Sequence, residues 1–199
     1  MIFMTGILLV TLSLSANFAT GQDQAQQGAA VEMAMSEVTD AHRVLFSDAG
    51  VWDADITMHM GAESTKTKGV ETSRKLGRFW MVSDLRYELM GEMFHGHGQM
   101  TYDSKKKKYV GTWIDSMSDF LNTIEGDYDK KSKTLTMIIS SKGPQGEDVK
   151  MKMVTRTTSE TTKEFRMTMM AEPKEIPLLE ISYTKRAKGA KKSMEKKEN

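Results

Sequence analysis

Of the four histidines in the chain, His95 and His97 stand two residues apart. On a strand that spacing puts both imidazoles on one face, near enough to share a metal ion. Two ligands do not make a site, and the sequence assigns no third; His59 joins them only if its polar face meets theirs. The same spacing describes a solvated outer face, so His95 and His97 are weak metal candidates and no cofactor is expected. Methionine is the other unusual supply of ligand atoms, with 18 residues that include the pairs Met58/Met60, Met151/Met153 and Met167/Met169. Soft thioethers suit Cu(I). Set inside a β-barrel, they also make a flexible wall that adapts to varied apolar guests. Other chemistry finds little support. The chain has no Gly-x-Ser-x-Gly elbow, phosphate-binding glycine loop or dinucleotide fingerprint. Ser116, His97 and Asp103 can be drawn as a triad, but nothing in their spacing favours it. Cysteine is absent, which excludes thiol catalysis, thiolate metal sites and disulfides.

The aromatic residues point to binding. Trp52 and Trp113 each combine an apolar body with one N–H donor, which suits a mostly apolar pocket with a few polar anchors. Trp52 opens a strand behind a helix. Trp113 lies mid-strand with Tyr109, Gly111 and Asp115 on its face. Asp115 is either a buried polar anchor or the turn residue capping that strand. Tyr102, Tyr128 and Tyr183 complete the interior candidates for contact with a ligand. The competing reading makes both tryptophans plugs that fill a barrel.

These residues need elements to hold them, and the pattern supplies mainly strands. Tyr102–Asp103 and Tyr128–Asp129 each end an extended run before a lysine-bearing turn. Between them Tyr109 to Asp115 and Ser118 to Gly126 read as neighbouring strands joined at Asp115–Ser116, where Asp and Ser suit a corner. In Val51 to Met60, Trp52, Ala54, Ile56, Met58 and Met60 share one face, while Asp53, Asp55, Thr57 and His59 share the other. That alternation is a half-buried strand. Glu63 to Lys75 is polar and threonine-rich, as an exposed or edge strand would be. In Phe94 to Tyr102, Gly96 and Gly98 fall on the apolar face, leaving room for a bend, a bulge or a ligand. Further runs at Arg78 to Leu89, Thr134 to Ser141, Val149 to Val154, Phe165 to Ala171 and Leu179 to Tyr183 bring the count to nine or ten. This is the spacing of an all-β barrel or sandwich, and closure into a barrel removes exposed edges. One helix is expected, roughly Val31 to Phe46, with Met35, Val38, His42, Leu45 and Phe46 on one side. Its apolar stripe needs a surface, and the end of a barrel offers one. His42 on that stripe reads as a hydrogen-bonded core histidine.

At 199 residues with three prolines, one domain is the natural division. Ile7 to Leu14 is a compact apolar run followed by Ala19-Thr20-Gly21, so residues 1–21 read as a signal peptide cleaved before Gln22. The run is too short to cross a bilayer, so no transmembrane segment is expected after cleavage, and the protein is placed as secreted or periplasmic. Residues 22–30 read as a flexible linker, 31–186 as the helix-plus-barrel domain and 187–199 as a basic disordered tail. The net charge of +1 hides an asymmetry: seven basic residues from Lys185 onward stand against Glu195 and Glu198. Those basic residues have no aromatic partners, so nucleic acid is not the expected partner.

Gly111-Thr112-Trp113-Ile114-Asp115-Ser116, flanked by the two Tyr-Asp turns, resembles a bacterial secreted family known only as a domain of unknown function (domain of unknown function 1579). Gly50 to Trp52, Leu76 to Phe79 and Glu125 to Asp129 carry the rest of the likeness, which spans Val31 to Arg186. The resemblance implies a calycin-like, lipocalin-like antiparallel β-barrel with one short N-terminal helix closing an end. It implies no activity. Two features depart from the family's pattern: Ala-Gly-Val-Trp stands where Gly-Thr-Trp is usual, and the family does not call for the His95/His97 pair, so any role for it belongs to this protein or close relatives. The expectation is therefore a barrel that binds a small, mostly apolar ligand. The alternative is a filled barrel acting through its surface or its basic tail, and an enzyme is the less favoured third.

Overall fold

The computed structural model describes residues 37–143, 145–171 and 173–187. Among these residues one helix, α1 (Asp40–Phe46), precedes ten strands. These are β1 (Gly50–Met60), β2 (Glu63–Leu76), β3 (Trp80–Leu89), β4 (Glu92–Asp103) and β5 (Lys108–Asp115), followed by β6 (Asn122–Asp129), β7 (Thr134–Lys142), β8 (Asp148–Thr157), β9 (Thr162–Met169) and β10 (Ile176–Lys185). Each strand pairs antiparallel with the next, and β1 pairs with β10 to close the cylinder. The fold is an all-β, calycin-like antiparallel barrel with one short helix at an end. The expected signal segment, the linker, the first part of the expected helix and the tail from residue 188 lie outside the described residues.

Alternation decides which side of each strand faces in. On β1, Trp52, Ala54, Ile56 and Met58 are buried while Asp53 and Asp55 are exposed. On β10, Ile181 and Tyr183 are buried, and they sit opposite Ile56 and Ala54 in the register. Two apolar clusters result. One gathers Trp52, Ile56, Met58, Leu85, Tyr87, Ile181 and Tyr183. The other gathers Leu45, Met81, Tyr109, Ile124, Met137 and Ile139. Trp113 packs against both.

Three expectations are corrected. The helix covers Asp40–Phe46 rather than starting at Val31, and residues 37–39 are not helical. Thr39 stops it: its backbone is extended and it caps the first turn together with His42. Second, β2 is no edge strand. It lies between β1 and β3 in a closed wall, with most of its charges exposed as the other reading had it and Glu71 turned inward. Third, β6 begins at Asn122 instead of Ser118. The Asp115 carboxylate accepts hydrogen bonds from Met117 N (2.9 Å) and Ser118 Oγ (3.1 Å), which holds residues 116–121 in a connection.

Candidate functional site

The antiparallel order gives the barrel two ends with different contents. At the helix end lie the start of β1, the end of β2, the start of β9 and the end of β10. Here α1 leans on β3 and β4, and Tyr109 Oη donates to the Ala41 carbonyl oxygen at 3.1 Å. The His42 ring is buried, edge-on to Phe79 and Tyr102. Its Nδ1 lies 3.2 Å from the Thr39 backbone N and 2.9 Å from Thr39 Oγ1. An N–H can only donate, so Nδ1 carries no proton and the ring is held neutral. Burial lowers the His42 pKa, opposed by a hydrogen bond with the Tyr102 backbone. His42 is thus the hydrogen-bonded core histidine that the sequence suggested.

The same end holds a buried ionic cluster. Lys163, only 4% exposed, donates to Asp48 Oδ2 at 2.7 Å and to Glu71 Oε1 at 2.9 Å. Its ammonium also sits over the Trp52 and Tyr183 rings, at 4.5 and 4.6 Å from their centroids. The Tyr183 hydroxyl donates to Glu71 Oε2 at 2.9 Å and Ser73 Oγ to Glu71 Oε1 at 3.1 Å. Trp52 Nε1 donates to the Asp48 carbonyl at 2.9 Å. Burial alone lowers the lysine's pKa, but Glu71 and Asp48 outweigh it and the net shift is upward. Burial and then the Glu71 carboxylate push the Tyr183 phenol well above its ordinary value. Removing one partner of a buried pair costs about 3–5 kcal/mol because the other charge stays behind. This cluster ties the turn after α1 to four strands, β1, β2, β9 and β10, and it leaves Trp52 and Tyr183 with no free polar group.

The far end differs. Trp113 lies directly opposite Gly98 across the β4–β5 register, two residues from Gly96. A methyl group on Gly96 would overlap the benzo ring of Trp113, and one on Gly98 would sit 3.0 Å from Trp113 Cε3. The room that the two glycines leave is therefore filled by the Trp113 ring, with no bend or bulge at that point of the β4–β5 register. Trp113 Nε1 donates to Asp115 Oδ2 at 3.1 Å. Asp115 is thus the turn residue, half-buried, and its other oxygen holds the indole N–H. Most of the inward side chains around Trp113 are apolar: Phe94, Leu89 and Leu179 are only partly buried, and so are Met151 and Met153. Tyr87 stacks on Phe94 with ring centroids 4.5 Å apart. Burial, and secondly the Asp115 charge, push its phenol up to about 12. The methionine pairs face one another, Met151 opposite Met169 and Met153 opposite Met167. Met60 departs from the pattern and is exposed at the rim. Other apolar side chains stand exposed on the same rim: Met90, Met93, Met117, Leu121, Met170 and Ile176.

Residues 37–185 match the sequence profile of a family described as "Protein of unknown function (DUF1579)". The chain belongs to this family. Among solved structures, the DUF1579 chain is similar to Rv2717c from M. tuberculosis, at 9% identity and a TM-score of 0.60, with 76% of this chain and 100% of that one covered. It is also similar to the S-type phycobiliprotein lyase CPES from Guillardia theta, at 9% identity and a TM-score of 0.49, with coverages of 74% and 93%. No curated protein matches the chain. At these identities the likeness to Rv2717c establishes the fold alone.

The six residues chosen from the sequence do not converge in this DUF1579 barrel. Trp113 and Asp115 stand together at the far end. Trp52 and Tyr183 belong to the Lys163 cluster at the helix end. Tyr102 and Tyr128 flank Tyr109 below α1, at centroid distances of 5.2 and 6.4 Å. His95 and His97 lie on the outer wall, beside a depression of about 320 Å³ lined also by Asp84, Arg86, Ile114 and Ser116. His97 Nδ1 pairs with Asp84 Oδ1 at 2.8 Å, and among the described residues no group of three or more ligating side chains is assembled. The drawn triad is not formed. Asp84 partners His97, Asp103 caps the backbone of Lys105 and Lys106, and Ser116 Oγ accepts from His95 N. Sequence reasoning missed Lys163, Glu71 and Asn122. The signal for Lys163 was present: it occupies the inward phase of Phe165, Met167 and Met169.

Proposed function

We propose that the protein is a binding module whose barrel takes a small, mostly apolar molecule through the end opposite α1. One observation carries this reading. Inward-facing apolar side chains at that end, Phe94, Trp113, Leu179 and Met151 among them, stay partly accessible, although they point into a closed cylinder. A barrel of about eight strands is just filled by its side chains, so ten strands favour spare width. The facing methionines supply a wall that can repack around a guest. Burying the guest contributes about 25 cal/mol per Å² of apolar surface removed from water. The apolar rim suits its passage. The proposal includes export, supported by Ile7 to Leu14 and the small residues before Gln22.

The exposed rim also serves the alternative, a filled barrel that acts through its surface. Native mass spectrometry of protein purified from its own cells separates the two. A mass excess that disappears on denaturation is expected, on a chain beginning at Gln22. A guest-free chain that also fails to take up an apolar fluorophore would sink the binding reading in favour of the surface one.

A further inference from the structure

Among the described residues, two buried side-chain atoms have no hydrogen-bond partner: His59 Nε2 and Asn122 Oδ1. The first has a partner at hand, since a Glu180 carboxylate oxygen lies 3.9 Å away on the outer wall. The second has none. Asn122 is 3% exposed, and it lies directly opposite Trp113 across the β5–β6 register, so its side chain shares the inward face of the tryptophan. Its amide orientation is fixed chemically: Nδ2 donates to the Trp113 carbonyl oxygen at 3.2 Å, and a flipped amide would set oxygen against oxygen. Oδ1 is thus left as a bare acceptor at the end of the barrel where the ligand is proposed to bind. Leaving such an atom unsatisfied costs about 1–3 kcal/mol, and a buried atom of this kind calls for an explanation.

Neighbouring polar groups do not provide one. Asp115 is occupied by Trp113 Nε1, Met117 N and Ser118 Oγ. By register and alternation, no described lysine or arginine faces inward in this half of the barrel. Lys163, which does face inward, is at the other end and engaged by two carboxylates. An anionic head group would find no counter-charge here. We infer that Asn122 Oδ1 is the polar anchor of the lumen, accepting a hydrogen bond from the hydroxyl or amide N–H of a neutral, otherwise apolar ligand. This rests on the binding reading above and names its ligand class. The oxygen is covered in the ligand-free chain, so the guest displaces side chains to reach it. The connection through Met117 and Leu121, both largely exposed, leads straight into Asn122 and is the segment placed to give way.

The test compares 1-decanol, its isomer methyl nonyl ether (the same atoms without an O–H) and decanoate, with binding read by tryptophan emission. Wild-type protein should bind the alcohol roughly tenfold tighter than the ether, as expected for satisfying one buried acceptor, and decanoate more weakly than either. Asn122→Leu should keep the ether affinity and lose the preference. Equal affinities in wild type, or a preference that survives N122L, would overturn the anchor and leave lumen binding standing. Failure of all three probes to bind would overturn both. The wild-type ratio decides the matter even if the variant does not fold.

Discussion

Gly96 shows how one residue sets the far end of the barrel. Its lack of a side chain lets the Trp113 ring lie flat against β4, where the Asp115 carboxylate holds its N–H. Gly96→Ala forces that ring aside, because the clash is with a rigid aromatic and not with the loose end of a chain. Over-packing of this kind costs about 1–3 kcal/mol. Gly98→Ala, with contacts of 3.0 Å and beyond, should cost less. Urea unfolding measures both, and the tryptophan emission of folded Gly96→Ala should shift as the indole loses Asp115. Equal stability of the two variants would show that the ring is not wedged as described. The sequence placed both glycines on the inward face, but the room above them holds the Trp113 ring and gives neither bend nor bulge. It did not reveal what occupies that space, because the occupant comes from the next strand and the β4–β5 register is a property of the pairing.

At the scale of the element, α1 is too short to be stable alone and depends on its docking. Thr39 caps it, Leu45 and His42 are buried, and Tyr109 reaches up to Ala41. The neutral His42 ring gives this docking a pH dependence. Its folded pKa is below the ordinary histidine value, so the unfolded chain binds the extra proton first. Stability is then full above about pH 6.5 and falls as pH drops below it. Urea midpoints taken between pH 7.5 and pH 5 should decline for wild type. The decline should be shallower for His42→Gln, which starts less stable but carries no titrating ring. The other histidines are common to both proteins, so the difference between the two slopes isolates His42. Identical slopes would count against a neutral buried ring. This helix was half legible in the sequence: its apolar stripe through His42, Leu45 and Phe46 was visible, but the stop at Thr39 was not. Capping depends on a backbone turn that periodicity does not record.

Closure of the whole cylinder joins what the chain keeps apart. Lys163 meets Asp48 and Glu71 across separations of 115 and 92 residues, and the inward lysine made no sense as chemistry until β1 met β10. Period-two patterning was enough to give nine or ten strands and most of their faces, because burial on one side of a sheet is written residue by residue. The ionic plug depends on topology, so the sequence showed only a lysine in an apolar phase. Tyrosines spread round the barrel offer a reading of this closure as one unit. Tyr109 and Tyr87 are each pushed up to about 12, chiefly by burial, and burial pushes Tyr183 well above its ordinary value too. For each of them the folded state keeps its proton at a pH where the unfolded state has lost it. Their contribution to stability is therefore whole below about pH 10 and is lost as pH rises toward the folded values. Absorbance titration of the five tyrosines should show at least these three resisting ionisation at pH 11 in the folded protein, then ionising together as the barrel opens. Because they sit on β3, β5 and β10, a barrel that opens piecemeal would release them one at a time, and a single cooperative step is the expected result.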